Sequence, residues 1–150
     1  EIAQCLVGSE MCIRDRLKAA EELPKPENAA PSVTYLAGTV YFNNGSSAVD
    51  ASYNRQLREI VRLAKAKKAT LNVFGYASSR TRNTDIVSHK MANFRVSAAR
   101  AENVANALRR AGMPASKIKV EALSDSNPAY LEVMPEGERL NRRAEIYISY

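Results

Sequence analysis

The stretch from Asn93 to Gly112, NFRVSAARAENVANALRRAG, constrains the fold of this 150-residue chain more than any other. Ser97, Ala101, Val104, Leu108 and Ala111 recur at the spacing of one helical face, and Glu102, Arg109 and Arg110 fall largely off that stripe. The pattern predicts an amphipathic helix with Asn93 as its N-cap. Gly112 supplies a left-handed C-terminal cap, and Pro114 prevents continuation. Arg100 lies one turn before Val104, at the border of the apolar face and early in the helix, where the macrodipole does not favour a cation. A partly buried arginine left without an anion is costly, so a carboxylate is expected to meet it, from the protein or from a ligand. The helix alone leaves both sources open.

The rest of the chain alternates strands and helices. Thr39 to Phe42 is short, β-branched and aromatic, and it runs into the turn residues Asn43, Asn44, Gly45 and Ser46, so a strand and a turn are expected. From Asp50, with Asp50 or Ser52 as cap, Leu57, Ile60, Val61 and Ala64 follow helical spacing. Thr70 to Gly75 reads as a strand ended by glycine. The following loop, Tyr76 to Ala92, carries Arg80, Arg82, His89 and Lys90 and is more polar than a connector requires. Lys117 to Leu123 alternates as a strand, closed by the turn residues Ser124 to Pro128, and a loop through Met134 to Gly137 leads to a last strand, Arg142 to Tyr150. In that strand Arg142, Ala144, Ile146 and Ile148 share one face. Arg143, Glu145 and Tyr147 share the other, with Arg143 expected as a solvated cross-strand charge. The order predicts an α+β two-layer sandwich, βαβαββ, with two main helices on a mixed sheet.

Residues 1–16 are expected to be foreign to the fold. CLVGSEMCIRDR, Cys5 to Arg16, matches the translation of a transposon-end primer used in sequencing-library preparation. The true N-terminus would then lie upstream of this chain. Both cysteines sit in that segment, so the remainder offers no disulfide or thiolate chemistry. Residues 17–37, rich in Ala, Glu, Lys and Pro, read as a stiff linker, and residues 38–150 as one domain. Setting residues 1–16 aside leaves 20 basic against 13 acidic residues, a net +7 that favours polyanionic partners without choosing among them. A catalytic site is hard to assemble. His89 is the only histidine, and no metal-binding spacing, nucleophile elbow or phosphate loop is present, so neither a metal nor a cofactor is expected. No strand carries an RNA-binding signature, and nucleic acid is not expected as a partner.

From about Gly38 to Tyr150 the chain resembles the OmpA-like peptidoglycan-associating domain of porin tails, Pal lipoproteins and MotB stator proteins. The resemblance rests on Gly75-Tyr76-Ala77-Ser78, on Ala92-Asn93-x-x-Val96-Ser97-x-x-Arg100-Ala101, and on Asn141-Arg142-Arg143-Ala144-Glu145-Ile146, which occur in the family's order and spacing. It implies a non-catalytic module that holds the peptide stem of peptidoglycan and ties an envelope protein to the wall. Attachment to a membrane would come only through an N-terminal anchor outside this chain, with the domain in the periplasm of a Gram-negative cell. It also implies a role for Arg100, which would take a carboxylate of diaminopimelate, while the aspartate of the family's T-D motif takes the ammonium group. Here Ala77 and Ser78 stand in place of that Thr-Asp pair, and the loop after them is longer than the family pattern. Asp85 or Asp125 is a possible substitute for the lost charge. Asn93 and Arg142 complete the expected ligand site, and Tyr76 is expected to line the loop. The run GYASSRTRN, Gly75 to Asn83, with Ser124-Asp125 and Val133-Met134-Pro135, looks like a distinct subfamily. The alternative is an envelope interaction module of the same fold that has lost diaminopimelate binding.

Overall fold

A computed structural model describes residues 32–79 and 85–150. The expected foreign segment 1–16, the linker up to residue 31, and Arg80 and Arg82 lie outside the described residues. Four strands form one mixed sheet: β1 (Thr34–Tyr41), β2 (Thr70–Tyr76), β3 (Ile118–Ser124) and β4 (Arg143–Ser149). Their order is β1-β4-β2-β3, with β4 antiparallel to both neighbours and β2 parallel to β3. The helices are α1 (Asn54–Ala66), α2 (Ile86–Arg110) and a short α3 (Pro135–Asn141). The α+β two-layer architecture is the expected one. α2 forms the crossover that a parallel β2/β3 pair requires.

The core follows from strand parity and helical spacing together. Leu71 and Val73 of β2, Ala144, Ile146 and Ile148 of β4, and Val40 of β1 share the covered face of the sheet. Against them pack Leu57, Ile60, Val61 and Ala64 of α1 and Ala101, Val104 and Leu108 of α2. Each large side chain buried here stabilises the fold by about 1.5–3 kcal/mol. The Asp50 carboxylate accepts from the Ser52 N–H at 2.8 Å and caps the 3₁₀ turn Ala51–Tyr53 ahead of α1. Gly112, at φ 106°, closes α2, and the Met113 N–H returns to the Leu108 carbonyl at 3.1 Å.

Four boundaries differ from the sequence expectation. α2 begins at Ile86, so Asn93 is not its N-cap but lies two turns inside it, and the preceding connection is shorter than expected. Ile86, Val87 and Met91 point to solvent, so the early turns lack the stripe that marks the rest of the helix. β1 begins at Thr34, within the segment expected as linker to residue 37. Its first residues alternate between exposed and half-buried, and they pair with β4. α3 occupies part of what was expected to be a loop and buries only Gly137 and Asn141, too little to leave a stripe. The last strand accordingly starts at Arg143 rather than Arg142.

Candidate functional site

The site lies where the C-terminal ends of β2 and β3 meet the middle of α2. A Cβ at Gly75 would stand 2.0 Å from the Ser97 carbonyl oxygen, so only glycine lets the helix backbone lie this close to the strand. The Ser97 hydroxyl donates to the Phe94 carbonyl at 2.9 Å and accepts from the Ser124 N–H at 3.2 Å. Ser124 adopts a left-handed φ of 54° and its carbonyl takes the Ala77 N–H at 2.8 Å. These bonds fix the strand ends against one helical face carrying His89, Asn93, Ser97 and Arg100 at spacings of three and four residues.

Arg100 is only 1% exposed. Its Nε donates to the Ser46 carbonyl and its Nη1 to the Tyr76 carbonyl, both at 3.0 Å, and its guanidinium carbon stands 5.4 Å from the Phe42 ring centroid. No carboxylate pairs with it among the described residues. Burial pushes its pKa down to about 10, with the nearby Arg142 charge acting in the same direction. It remains a cation at neutral pH. Nη2 has no protein partner among the described residues, and none of their fully buried side-chain nitrogens lacks one, so Nη2 is the nitrogen that keeps contact with solvent. Arg142 donates from Nε to the Phe42 carbonyl at 3.3 Å, which brings the second cation to the same end of β1. Asn103 Nδ2, one turn after Arg100, donates to the Ser47 carbonyl at 2.8 Å and ties the loop after β1 to α2.

The other expected residues divide into contacts and supports. Asn93, 4% exposed, donates to Asp125 Oδ2 at 3.2 Å, and His89 Nε2 lies 3.3 Å from the same oxygen. The Ser124 hydroxyl donates to Asp125 Oδ1 at 3.1 Å. Burial raises the pKa of Asp125, but backbone, Ser124, Asn93 and His89 hydrogen bonds outweigh it and hold the carboxyl below its ordinary range. Asn93 thus orients Asp125. Ala77 is buried with its N–H already bonded. Ser78 is half-buried beside it. Asp85 precedes α2 and accepts from the Ser88 hydroxyl at 3.4 Å. No group of three or more His, Cys, Asp or Glu among the described residues could hold a metal ion.

Arg143 corrects the expectation of a solvated charge. It is 4% exposed, donates from Nε to Glu145 at 2.7 Å, and lies 4.0 Å over the Tyr76 ring. Strand parity assigned it to the helix-free face, but Tyr76 and the Asn127 carbonyl cover that end of the face. Tyr76 donates to Glu145 at 3.1 Å, so it braces the sheet as well as flanking the loop. Burial first, then the Glu145 charge and bond, push the Tyr76 pKa up to about 12, and the hydroxyl stays protonated.

Sequence reasoning missed Glu132. Its Oε1 accepts from the Ser79 N–H at 3.1 Å and from Asn141 Nδ2 at 2.9 Å, and its Oε2 from the Ser79 hydroxyl at 2.6 Å. The only sequence signal was Asn141 in the N-R-R run. That side chain also accepts from the Ala129 and Tyr130 N–H groups at 3.1 Å and donates to the Tyr130 carbonyl at 2.8 Å, pinning the loop that carries Glu132.

Comparison with known proteins matches the architecture. The OmpA family profile covers residues 41–142. The chain is 32% identical over 115 residues to the probable lipoprotein YiaD of Escherichia coli K12, covering 76% of this chain and 49% of that protein. It is 31% identical over 124 residues to the peptidoglycan-binding protein ArfA of Mycobacterium tuberculosis H37Rv, covering 82% of this chain and 35% of that protein. The chain therefore spans half or less of the length of these relatives. Among solved structures, the peptidoglycan-associated lipoprotein of Burkholderia pseudomallei superposes with a TM-score of 0.63 at 23% identity, over 73% of this chain and 88% of that one. A family profile spanning most of the domain, together with this shared fold, makes the chain a member of the OmpA family.

Proposed function

We propose that this domain binds peptidoglycan without catalysis, holding the diaminopimelate-containing stem peptide and anchoring an envelope protein to the cell wall. One observation carries the reading: Arg100 is a buried cation whose partners among the described residues are neutral carbonyls, with none of them on Nη2. A ligand carboxylate at that nitrogen gains a charge-assisted bond in a poorly solvated site. Arg142 adds positive potential there, while Ser78 follows the end of β2 and Asn93 lies on the same face of α2 as Arg100. The name of ArfA, a peptidoglycan-binding protein, supports the same ligand. In this reading the domain works in the periplasm, associated with the outer membrane or the wall, and reaches a membrane only through an upstream anchor.

Co-sedimentation of the chain with purified diaminopimelate-type sacculi tests this. Binding is expected to fall at least tenfold in Arg100→Ala and to be displaced by free meso-diaminopimelate. A folded wild-type chain that stays in the supernatant would refute it. An envelope protein-interaction module is the second reading, favoured by the exposed Val87, Met91 and Phe94, which follow one another at helical spacing on α2.

A further inference from the structure

We infer that the cavity between α1 and the end of α2, flanked by Arg58 and Arg110, is a second anionic subsite that takes a further carboxylate of the wall polymer whose stem occupies the Arg100 site. The inference rests on the wall-binding reading above and extends it from one amino acid to the polymer that carries it.

The cavity has a volume of about 410 Å³. Leu57 and Ala107 are buried beneath it, Val49 and Ala111 are half-buried at its sides, and Arg58 and Arg110 are exposed at its rim. No acidic residue lines it. The acids of the two helices here are engaged elsewhere: Glu59 pairs with Arg62 at 2.8 Å, and Glu102 pairs with Arg109 at 2.5 Å. The Asp50 carboxylate is held by the Ser52 N–H. Among the described residues neither Arg58 nor Arg110 has an ion pair or a side-chain hydrogen bond. The helix dipole favours Arg110 at the end of α2 but not Arg58 in the second turn of α1, so helix stability does not explain why both line one cavity. Two cations around a shared space repel each other, and an anion between them turns that repulsion into attraction.

The cavity is continuous with the Arg100 site. Arg100, Asn103, Ala107 and Arg110 follow one another at spacings of three and four and form one stripe of α2. The rise along the helix from the first arginine to the second is about 15 Å. Arg100 holds the Ser46 carbonyl and Asn103 the Ser47 carbonyl, so the loop after β1 runs beside this stripe. That loop continues to Val49, which with Arg110 lines both this cavity and an adjoining one of about 550 Å³ bordered by Asn103 and Asn106. The adjoining cavity also has no acidic residue in its lining, so an anionic chain leaving Arg100 meets amides and then cations. A stem peptide bears several carboxylates, and neighbouring stems repeat them along the glycan. The polymer can therefore engage both arginine sites at once, whereas free diaminopimelate is too short to reach both.

Co-sedimentation of the full chain with diaminopimelate-type sacculi, run beside calorimetric titration with free meso-diaminopimelate, tests the subsite. In the Arg58→Ala, Arg110→Ala double variant sacculus binding is expected to weaken about tenfold, with a shallower dependence on salt, while the free amino acid binds as it does to wild type. The Arg58→Lys, Arg110→Lys variant is expected to recover most of the loss. Both side chains are exposed, so these variants should keep the wild-type urea midpoint. Undiminished sacculus binding in the double alanine variant would overturn the inference. So would equal weakening of sacculi and free amino acid, which would make the cavity a support for the Arg100 site. A double variant that keeps sacculi but loses binding to phosphatidylglycerol vesicles would overturn it as well, and assign the cavity to lipid. In each of those outcomes sacculus binding that still falls in Arg100→Ala leaves the wall-binding reading intact; a wild-type chain that binds neither sacculi nor the free amino acid overturns both.

Discussion

Among the described residues, Arg100, Asp125 and Glu132 are three charges that do not pair with one another. Arg100 lies against carbonyls, and the two carboxylates are surrounded by hydroxyls, amides and one imidazole. Each is therefore a separate electrostatic demand on the fold. Burial raises the pKa values of Asp125 and Glu132, but their hydrogen bonds lower them further, so both titrate below the ordinary 3.8 and 4.5. A carboxyl whose folded pKa lies below its unfolded value adds stability that is complete above the unfolded value and is lost as pH falls through the folded one. The urea midpoint should therefore hold steady from pH 7 to about 5 and decline below about 4. In the Asp125→Asn, Glu132→Gln double variant the acid decline should be shallower. An equal slope in wild type and double variant would show that these bonds do not favour the ionised forms.

At the level of elements, the approach of α2 to β2 sets everything the site needs, because Arg100 reaches the Tyr76 carbonyl only if the helix lies on the strand end. Gly75 permits that approach. Gly75→Ala would drive a Cβ into the Ser97 carbonyl, which is backbone and cannot rotate away, so α2 must lift from the sheet. The expected loss is about 3 kcal/mol or more of unfolding free energy, read from chemical denaturation, with weaker sacculus binding in the variant that remains folded. A variant as stable as wild type would show that α2 shifts without cost. The sequence announced α2 from Ser97 onward, where apolar residues recur toward the core, and its C-terminal glycine. It was silent about the turns from Ile86, whose apolar side chains face water, and about α3, which buries no apolar stripe. Arg100 was legible as a buried cation because helical spacing places it at the border of the packed face. Glu132 was not, since its place depends on Asn141, nine residues later, and on the close packing at Gly137. Arg143 was misjudged for a related reason: parity assigns a face of the sheet but does not reveal that a loop and a tyrosine ring cover it.

For the whole molecule, the first and last strands close the sheet together. Val33 and Tyr150 exchange backbone hydrogen bonds of 2.9 and 3.1 Å, and Tyr35 meets Tyr150 edge to face with ring centroids 6.4 Å apart. Lys67, at the end of α1, donates to the Tyr150 hydroxyl at 3.0 Å, and its ammonium lies 4.1 Å from that ring centroid. Thr34, Tyr35 and Leu36 pair with Ser149, Ile148 and Tyr147, so the early part of β1 covers the outer edge of β4. A chain begun at residue 38, where composition alone places the domain boundary, would leave that edge of β4 bare and remove Tyr35 from Tyr150 and Lys67. A chain begun at residue 32 would keep all of these contacts. The shorter version is expected to be less stable by about 2–4 kcal/mol, from lost cross-strand pairs and buried aromatic area, with a lower urea midpoint. Arg100, Arg142 and Phe42 lie toward the other end of β1, so the shortened chain, where still folded at low urea, should bind sacculi as the longer one does. Equal midpoints would show that the pairing of Thr34 to Leu36 adds nothing to stability. A binding defect without a stability defect would show instead that the site extends to the edge where the two termini meet.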